Sequence, residues 1–548
     1  MFFWISHFTF WIRLKMVSSH KLVIKDAAWQ LFGRIVSALF GFITIKIMTP
    51  YLGPLRYGDY STILKYFAIW TALADLWLYV LAVKRLGEMK EKIDKTLTTP
   101  ELWTSPVYHE LKTEYGKFIW ARVIIMSAIY FIAIVIAYLL PVYTSNPYLV
   151  WWLPFGLIFS ASFMFAGVQQ LPLQIFWRMD QLSRTLITAR LSQIAILVPV
   201  VYFFFRHVTF NGSSVSIIAF CLIMFSVVAS SVGQNFEIHF RAKRILPLKI
   251  RFDWKFTKAL IIRNRQYGVS YYLSSFHTLI VLLFLGWFFP TVSGHDYAWM
   301  WALSLSLIEI LLIIPSALGN SLLHKISHYS LISKRKSMGN LLVMMVWIWG
   351  AVAMNFWIFS YRIIRVVSGK AFIWTFDSLT SWWSNQVLPF LWIILFRSFI
   401  KQVYNYLFVA VEKQNVLLPI NLVGVALWIP LWIFLIPKYW LFGGAITQLF
   451  IEFMFMIGAV WIGSRKKVQP IFSRSKMFLL LGIVIFIAIW WYIINFFWVH
   501  SFLMFFVVAI LLNALLVALS WRSIKKIAKG LTVAVEETVE ETNPEISY

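Results

Sequence analysis

Apolar segments of about 20 residues follow one another along nearly the whole chain and are separated by short polar gaps. A helix of that length crosses the roughly 30 Å hydrocarbon core of a bilayer, so the pattern predicts an all-α polytopic membrane protein with about fourteen transmembrane helices. Barrel strands alternate between two faces and run only about 10 residues, which does not fit these segments. The predicted spans are 28–49, 60–83, 118–140, 149–171, 186–205, 214–234, 268–289, 297–319, 340–360, 387–411, 416–436, 441–463, 477–497 and 500–520.

Two landmarks suggest that the first twelve spans form two similar halves of six. An Asp-Tyr pair opens the second span at 59–60 and the eighth at 296–297. A proline interrupts the fifth span at Pro199 and the eleventh at Pro430. Membrane proteins built from two such halves are usually transporters with the binding site between the halves.

This repeat predicts the organisation of the whole chain. It consists of a leader at 1–25, an N-lobe at 26–235, a basic linker at 236–267, a C-lobe at 268–463, two further helices at 464–521 and a disordered tail at 522–548. Two connecting segments should carry short helices. We expect an amphipathic helix within the loop 84–117 and an interfacial helix within 361–386. Either Met1 or Met16 could start the protein.

The net charge of +27 comes from an uneven distribution of Lys and Arg between the loops. Only 6 of the 49 basic residues lie in the loops that follow odd-numbered spans, and 7 lie inside spans; the other 36 lie in the remaining loops and the tails. The positive-inside rule then places both termini in the cytoplasm. The basic loops should attract anionic membrane lipids. Nucleic acid is not an expected partner.

Charged residues inside the spans are the candidates for function, because a charge near the bilayer centre costs about 3 kcal/mol on insertion scales. Four basic residues lie about one turn from a predicted span end, where a long side chain can reach water. They are Lys46, Lys65, Arg122 and Arg190. Arg34 lies nearly two turns in. Five others lie too deep for this: Asp75, Glu309, Arg397, Lys401 and Glu452.

The balance of these charges suggests the kind of cargo. The spans hold seven basic and three acidic residues, so pairing leaves surplus positive charge. Because Arg binds phosphate oxygens bidentately, we predict a cationic cavity, with Arg397 and Lys401 in its wall, for an anionic passenger such as a phosphate or diphosphate. The acids Asp75, Glu309 and Glu452 are predicted to pair with bases, for instance Arg397 with Glu452, or to couple transport to H⁺ or Na⁺.

Signals for enzymatic or metal chemistry are weak in the sequence. There is one cysteine, Cys221, so neither a disulfide framework nor a cysteine metal site is expected. Walker A and HExxH motifs are absent. His324 and His328 have helical ligand spacing but no third ligand nearby. We therefore predict a transporter with no catalytic residues, no metal site and no cofactor.

The stretch 25–61 resembles the start of bacterial polysaccharide exporters of the Wzx type, which belong to the multidrug/oligosaccharidyl-lipid/polysaccharide superfamily. The shared features are Gly33-Arg34, then Tyr51-Leu52-Gly53-Pro54, then Tyr57-Gly58-Asp59-Tyr60. Two later stretches, 296–318 and 435–452, are similar in pattern. The resemblance implies two six-helix lobes in a V like that of MATE transporters, plus two C-terminal helices.

In function, the resemblance implies a flippase that moves a polyprenyl-diphosphate-linked oligosaccharide outward by alternating access, for example for O-antigen and lipopolysaccharide synthesis. Basic residues would line its lumen, here Arg34, Arg397 and Lys401. A polysaccharide polymerase and glycosyltransferases of the same pathway would be partners. The alternatives are a peptidoglycan lipid-precursor flippase, a cation-coupled multidrug exporter, a membrane-embedded glycosyltransferase or ligase, and a scaffold that transports nothing.

Overall fold

The computed structural model describes residues 19–75, 78–96, 105–140, 144, 146–176, 178–204, 216–288, 301–309, 311–312, 330–368, 384–411, 413, 416–497 and 502–533. These residues are mainly helical and contain no β-strand. The helices are α1 Ser19–Asp75, α2 Leu78–Thr96, α3 Pro106–Leu139, α4 Pro147–Gln169, α5 Leu171–Ile175, α6 Met179–Phe204, α7 Ile217–Lys243, α8 Trp254–Phe288, α9 Leu331–Ser368, α10 Ser384–Ala410, α11 Leu417–Arg465, α12 Arg474–Phe497 and α13 Phe502–Val533. Residues 301–309 are also helical.

Seven helical segments among the described residues are long and apolar enough to cross a membrane. They are Phe32–Gly53, Pro106–Leu139, Pro147–Ile175, Met179–Phe203, Ile217–Lys243, Leu417–Tyr439 and Gly443–Arg465. The prediction of an all-helical, multi-pass membrane protein is confirmed. The total of about fourteen spans stays a prediction.

Helix α1 contains a sharp turn at Gly53, which divides it into a first arm at 19–52 and a second arm at 54–75. Gly53 has φ 64° and ψ 176°, a backbone conformation that is essentially restricted to glycine. Arg34 of the first arm interacts electrostatically with Tyr79, which lies just beyond the second arm. The two arms therefore run back along each other. We call the end of the bundle at Gly53 the turn end.

Helix α11 reverses in the same way near Gly443. A Cβ atom on Gly443 would overlap with the backbone carbonyl of Leu435, which a straight helix would hold about 12 Å away. Gly458 packs against Ile420 further along the same two arms. The eleventh and twelfth predicted spans are thus two antiparallel arms joined by a tight turn.

The helices of each half pack mainly with one another. In the first half α1 packs against α6 and α4, and α7 packs against α4 and α6. In the second half α10 packs against α9 and α11, while α12 and α13 lie on α9. Helix α8 contacts α1 and α3 of the first half as well as α11 of the second. It therefore connects the two halves.

The amphipathic helix predicted between the second and third spans is confirmed as α2. Leu78, Ala82, Val83 and Leu86 are buried together against residues of α3. The predicted second span continued to residue 83 because these apolar residues follow it in the sequence. In the structure they pack against α3.

Several predicted boundaries need correction, because helices continue past the apolar segments. Helix α1 begins at Ser19, within the predicted leader. Helices α7 and α8 leave only 244–253 as the connector within the predicted linker at 236–267. The tail predicted to be disordered is helical to Val533, because Ile527 is buried with Val343 and Leu480. Residues 369–383 of the predicted interfacial helix lie outside the described residues. We call the end of the bundle at 244–253 the linker end.

Candidate functional site

The two halves are joined by an ion pair between Lys65 and Glu309. Lys65 lies twelve residues beyond Gly53, about 18 Å along the second arm and hence near mid-membrane. Its ammonium group donates to Oε2 of Glu309 in the helix 301–309 of the second half. Lys65 is buried. The expectation that Lys65 reaches water at the span end is therefore wrong.

Two further contacts join the halves between Lys65 and the turn end. The hydroxyl of Tyr57 approaches the side chain of Ser306, one helical turn before Glu309. Thr49 donates from Oγ1 to the carbonyl oxygen of Val367, at 3.3 Å. Together with Lys65–Glu309, these contacts hold the halves together over the half of the membrane nearer the turn end.

Arg190 lies at a similar depth on α6. Helix α6 begins at Met179, so Arg190 is eleven residues, about 16 Å, from the linker end. Its Nη1 donates to Oε1 of Gln193 at 2.8 Å, and its charge interacts with the hydroxyl of Tyr60. The Tyr60 ring lies 5.9 Å from that of Tyr57, beside the contact between the halves.

Arg190 was predicted to lie one turn from a span end, and the structure corrects this. The predicted span began at residue 186, because the preceding residues of α6 are polar, but the helix itself begins seven residues earlier. The Arg190 side chain is exposed although it lies at mid-depth. Because charges at this depth usually face a water-filled cavity or a partner, Arg190 is a candidate cavity residue that the sequence missed.

Arg122 and Asp75 form a second ion pair, nearer the linker end. Arg122 is buried on α3 and donates from Nη1 to Oδ1 of Asp75. Its Nη2 also approaches the sulfur of Met164 at 3.2 Å. Asp75 lies 22 residues beyond Gly53, about 33 Å along the arm, so it is close to the linker end rather than at mid-depth. The expectation that Arg122 reaches water is wrong, because its guanidinium is buried against Asp75.

Arg34 lies between the two halves on the linker-end side of Lys65. It interacts electrostatically with Tyr79 of the first half and Tyr406 of the second. Tyr79 donates to the side-chain oxygen of Gln174, and Tyr406 accepts from Nε2 of Gln402 at 2.9 Å. These hydrogen bonds orient both phenols, so Arg34 has a defined place where α1 approaches α10.

The second half contributes a buried carboxylate and a partly buried lysine. Glu452 on α11 is fully buried, and Nε2 of Gln448 donates to its Oε1 at 2.9 Å. Phe455 lies on the next turn, and the ammonium of Lys401 on α10 is 5.7 Å from the centre of its ring. The structure thus brings Lys401 to the arm that carries Glu452.

Arg397 is the one predicted site residue whose side chain is not among those described. Its backbone belongs to α10, one turn before Lys401. The suggested pair of Arg397 with Glu452 therefore lies outside the described residues. Within the described ranges, no three His, Cys, Asp or Glu side chains come together as metal ligands do.

The chain matches a family profile described as "Polysaccharide biosynthesis protein" over residues 23–298, which is 276 of the 548 residues. It belongs to this family. No curated protein matches the chain at a significant level. The predicted membership of the multidrug/oligosaccharidyl-lipid/polysaccharide superfamily is confirmed, whereas the Wzx type stays a prediction.

Solved structures share the fold of this polysaccharide biosynthesis protein at low sequence identity. The lipid II flippase MurJ in an inward closed conformation has a TM-score of 0.58 and 14% identity, covering 91% of this chain and 99% of MurJ. The MATE multidrug transporter DinF-BH has a TM-score of 0.57 and 14% sequence identity, and the match covers 83% of this chain and 98% of the transporter. A MOP superfamily transporter from Pyrococcus furiosus has a TM-score of 0.56 and 11% sequence identity, and the match covers 82% of this chain and 96% of that transporter. At these identities the likeness shows the fold alone.

The charged residues in the predicted spans of this family member are more basic than acidic. Among the described side chains, two ion pairs join span charges, Lys65–Glu309 and Arg122–Asp75. The predicted spans hold seven basic and three acidic residues, so basic residues outnumber acidic ones by four. Arg34 and Arg190 lie on the first half and Lys401 on the second. An anionic group between the halves would therefore meet positive charge from both sides.

Proposed function

We propose that the protein moves a polyprenyl-diphosphate-linked oligosaccharide across the inner cell membrane, from the cytoplasmic to the outer leaflet. The observation that carries this proposal is the surplus of basic side chains where the halves of a polysaccharide biosynthesis protein meet. A diphosphate carries charge in a compact group with many acceptor oxygens, which arginine binds well. The polyprenyl chain would stay in the lipid while its diphosphate passes through the cavity.

Alternating access would use the contacts at the two ends of the bundle. Lys65–Glu309, Tyr57–Ser306 and Thr49–Val367 close the turn end, which is external in the proposed orientation with cytoplasmic termini. To release cargo outward, these three contacts would open and the halves would approach at the linker end. Arg34, on the linker-end side of Lys65, would meet the cargo while the linker end is open.

A flipping assay in vesicles tests this proposal through Arg190. Protein is reconstituted with a fluorescent polyprenyl-diphosphate oligosaccharide, and the fraction protected from a membrane-impermeant quencher is followed in time. We expect Arg190→Gln to slow flipping about tenfold or more, because a hydrogen bond to a charged group contributes about 1.5–3 kcal/mol. Arg184→Gln is the matched control, since Arg184 is exposed on the same helix near the linker end.

The outcomes separate the proposal from its rivals. Wild-type protein that leaves the labelled lipid in one leaflet would contradict the proposed cargo. Equal rates for Arg190→Gln and wild type would remove Arg190 from the path. A peptidoglycan lipid precursor shares the diphosphate, so the same assay with that lipid distinguishes the two glycans. Faster movement of an organic cation than of either lipid would favour a multidrug exporter.

Glu452 is the group that we propose couples transport to H⁺ or Na⁺. Its side chain is fully buried on α11, one turn before Phe455, whose ring faces the ammonium of Lys401. Burial disfavours the charged form of a carboxylate, so a bound proton or cation would stabilise Glu452. Glu452→Gln is expected to flip lipid at a rate that no longer responds to an imposed proton or sodium gradient. Glu88→Gln, at an exposed site on α2, should respond as wild type does. A Glu452→Gln variant that kept the response would contradict coupling through this residue.

A further inference from the structure

The connector 244–253 is held firmly against the first half instead of hanging free between α7 and α8. The hydroxyl of Tyr108 donates to the carbonyl oxygen of Ile245 at 3.0 Å. The backbone N–H of Arg251 donates to the carbonyl oxygen of Gly116 at 3.4 Å. Gly116 allows this approach, because a Cβ atom there would overlap with the carbonyl oxygen of Lys249. The connector therefore presents a defined face away from α3.

The one acidic residue of 244–258 is directed into this docking contact. Asp253 accepts from the backbone N–H of Phe256 at 2.8 Å and so caps the start of α8. Its carboxylate also pairs with the ammonium of Lys117 on α3 at 3.2 Å. The hydrogen bond from Phe256, assisted by Lys117, holds the pKa of Asp253 below its usual range. Its negative charge is matched mainly by Lys117 and only secondarily by Lys255, so the other basic residues of the connector are not offset by it.

The exposed face of the connector combines large apolar and basic side chains. Ile250 is 45% exposed, Phe252 77% and Trp254 62%. The Phe252 ring is supported from one side by Trp120, with ring centres 4.2 Å apart. The exposed basic residues in the same stretch are Arg244, Lys249, Arg251, Lys255 and Lys258.

Arg251 and Phe252 contact Gly116 and Trp120, which lie at the start of the predicted third span, 118–140, so this face is at the level of the lipid headgroups. Tryptophan prefers this level of a bilayer. Basic clusters beside it attract anionic headgroups. We infer that residues 249–258 form a binding surface for anionic phospholipids of the facing leaflet, with Phe252 and Trp254 inserted among the headgroups and Lys249, Arg251 and Lys255 on the phosphates.

The single native cysteine allows a direct test in reconstituted full-length protein. Ile250→Cys is made in a Cys221→Ser background and labelled with an environment-sensitive fluorophore. The protein is placed in vesicles whose brominated lipid is either phosphatidylcholine or phosphatidylglycerol, at equal bromine content and ionic strength. We expect brominated phosphatidylglycerol to quench the label more strongly, because it is enriched at this surface.

Two matched triple variants decide whether the basic residues cause this preference. Lys249→Gln, Arg251→Gln and Lys255→Gln together should weaken the preference for phosphatidylglycerol about tenfold or more, since each basic residue near an anionic surface contributes to binding. Arg465→Gln, Lys466→Gln and Arg474→Gln remove the same charge at the α11–α12 connector, where all three are exposed, and should leave it intact.

Three results would overturn the inference: equal quenching by the two lipids, a preference that survives the 249, 251 and 255 changes, or no quenching by either lipid. Thermal unfolding of both triple variants shows whether either has lost its fold. The quenching measurement does not depend on flipping. A negative quenching result would therefore not contradict the proposed transport, and a negative flipping result would not contradict the proposed lipid-binding surface.

Discussion

At the scale of single residues, the role of a charge depends on its distance from both ends of its helix. Arg190 seemed shallow because apolar residues begin at position 186, yet α6 begins at Met179. Asp75 seemed deep because the second span was taken to begin at residue 60, whereas its arm begins just after Gly53. In both cases polar or turn residues extend the helix beyond the apolar segment. The position of a charge in the bundle therefore cannot be read from a hydrophobic window alone.

Asp253 gives a residue-scale prediction on pH. The pKa of Asp253 is lowered in the folded protein, so its carboxylate stabilises the fold above the ordinary aspartate pKa of about 3.9. This contribution is lost as the pH falls through the lower, folded-state pKa. In thermal unfolding, Asp253→Asn should melt below wild type at pH 7, and the difference between the two melting temperatures should shrink as the pH falls below about 3.9. Asparagine keeps the helix cap, so the difference reports the charge. A constant difference at all pH values would contradict this account.

At the scale of elements, turns and amphipathic helices were easier to predict than helix ends. The sequence Tyr51-Leu52-Gly53-Pro54 indicated the turn after the first span, and the structure places the backbone break at Gly53. The amphipathic helix α2 was expected in the loop 84–117, although it begins at Leu78. Helices α3 and α9 continue well beyond the apolar stretches because polar helical turns can project from the membrane into water.

Gly53 gives a prediction at this scale. Gly53→Ala should destabilise the protein by about 1–3 kcal/mol, the cost of a glycine-only backbone conformation for another residue. Gly482→Ala is the control, since Gly482 lies in helix α12 with open space where a Cβ atom would go. Alanine there should raise the stability of the helix. Thermal or denaturant unfolding in detergent measures both. Equal stability of the two variants would show that the turn does not depend on glycine.

At the scale of the whole molecule, the contact between the halves decides which end of the cavity is closed. The Lys65–Glu309 pair is partly exposed. Breaking it should therefore destabilise the closed turn end by more than the about 0–1 kcal/mol of a surface ion pair, but by less than the about 3–5 kcal/mol of a fully buried one. A difference of that size shifts the population of a two-state transporter by about tenfold or more.

Cross-linking across the turn end measures this shift. Thr49→Cys and Val367→Cys, in a Cys221→Ser background, should oxidise readily in the wild-type protein, because Thr49 contacts Val367 directly. Lys65→Gln should slow the cross-link, and the reversed pair Lys65→Glu with Glu309→Lys should restore it. Lys46→Gln, which removes an exposed charge from the first arm of α1, should change nothing. A cross-link that forms as fast in the Lys65→Gln variant as with Lys65 intact would contradict a role for this ion pair in holding the turn end closed.

The sequence by itself determined that the chain crosses a membrane many times, that its spans carry surplus positive charge, and that it resembles the polysaccharide exporters. These properties depend on local hydrophobicity, residue counts and short motifs, which need no long-range information. Only the tertiary structure decided that Lys65 meets Glu309, that Arg122 meets Asp75, and that Arg34 lies beside Tyr406. Such pairs join residues far apart in sequence, so they follow from how helices pack and where each begins, and no hydrophobic window records either.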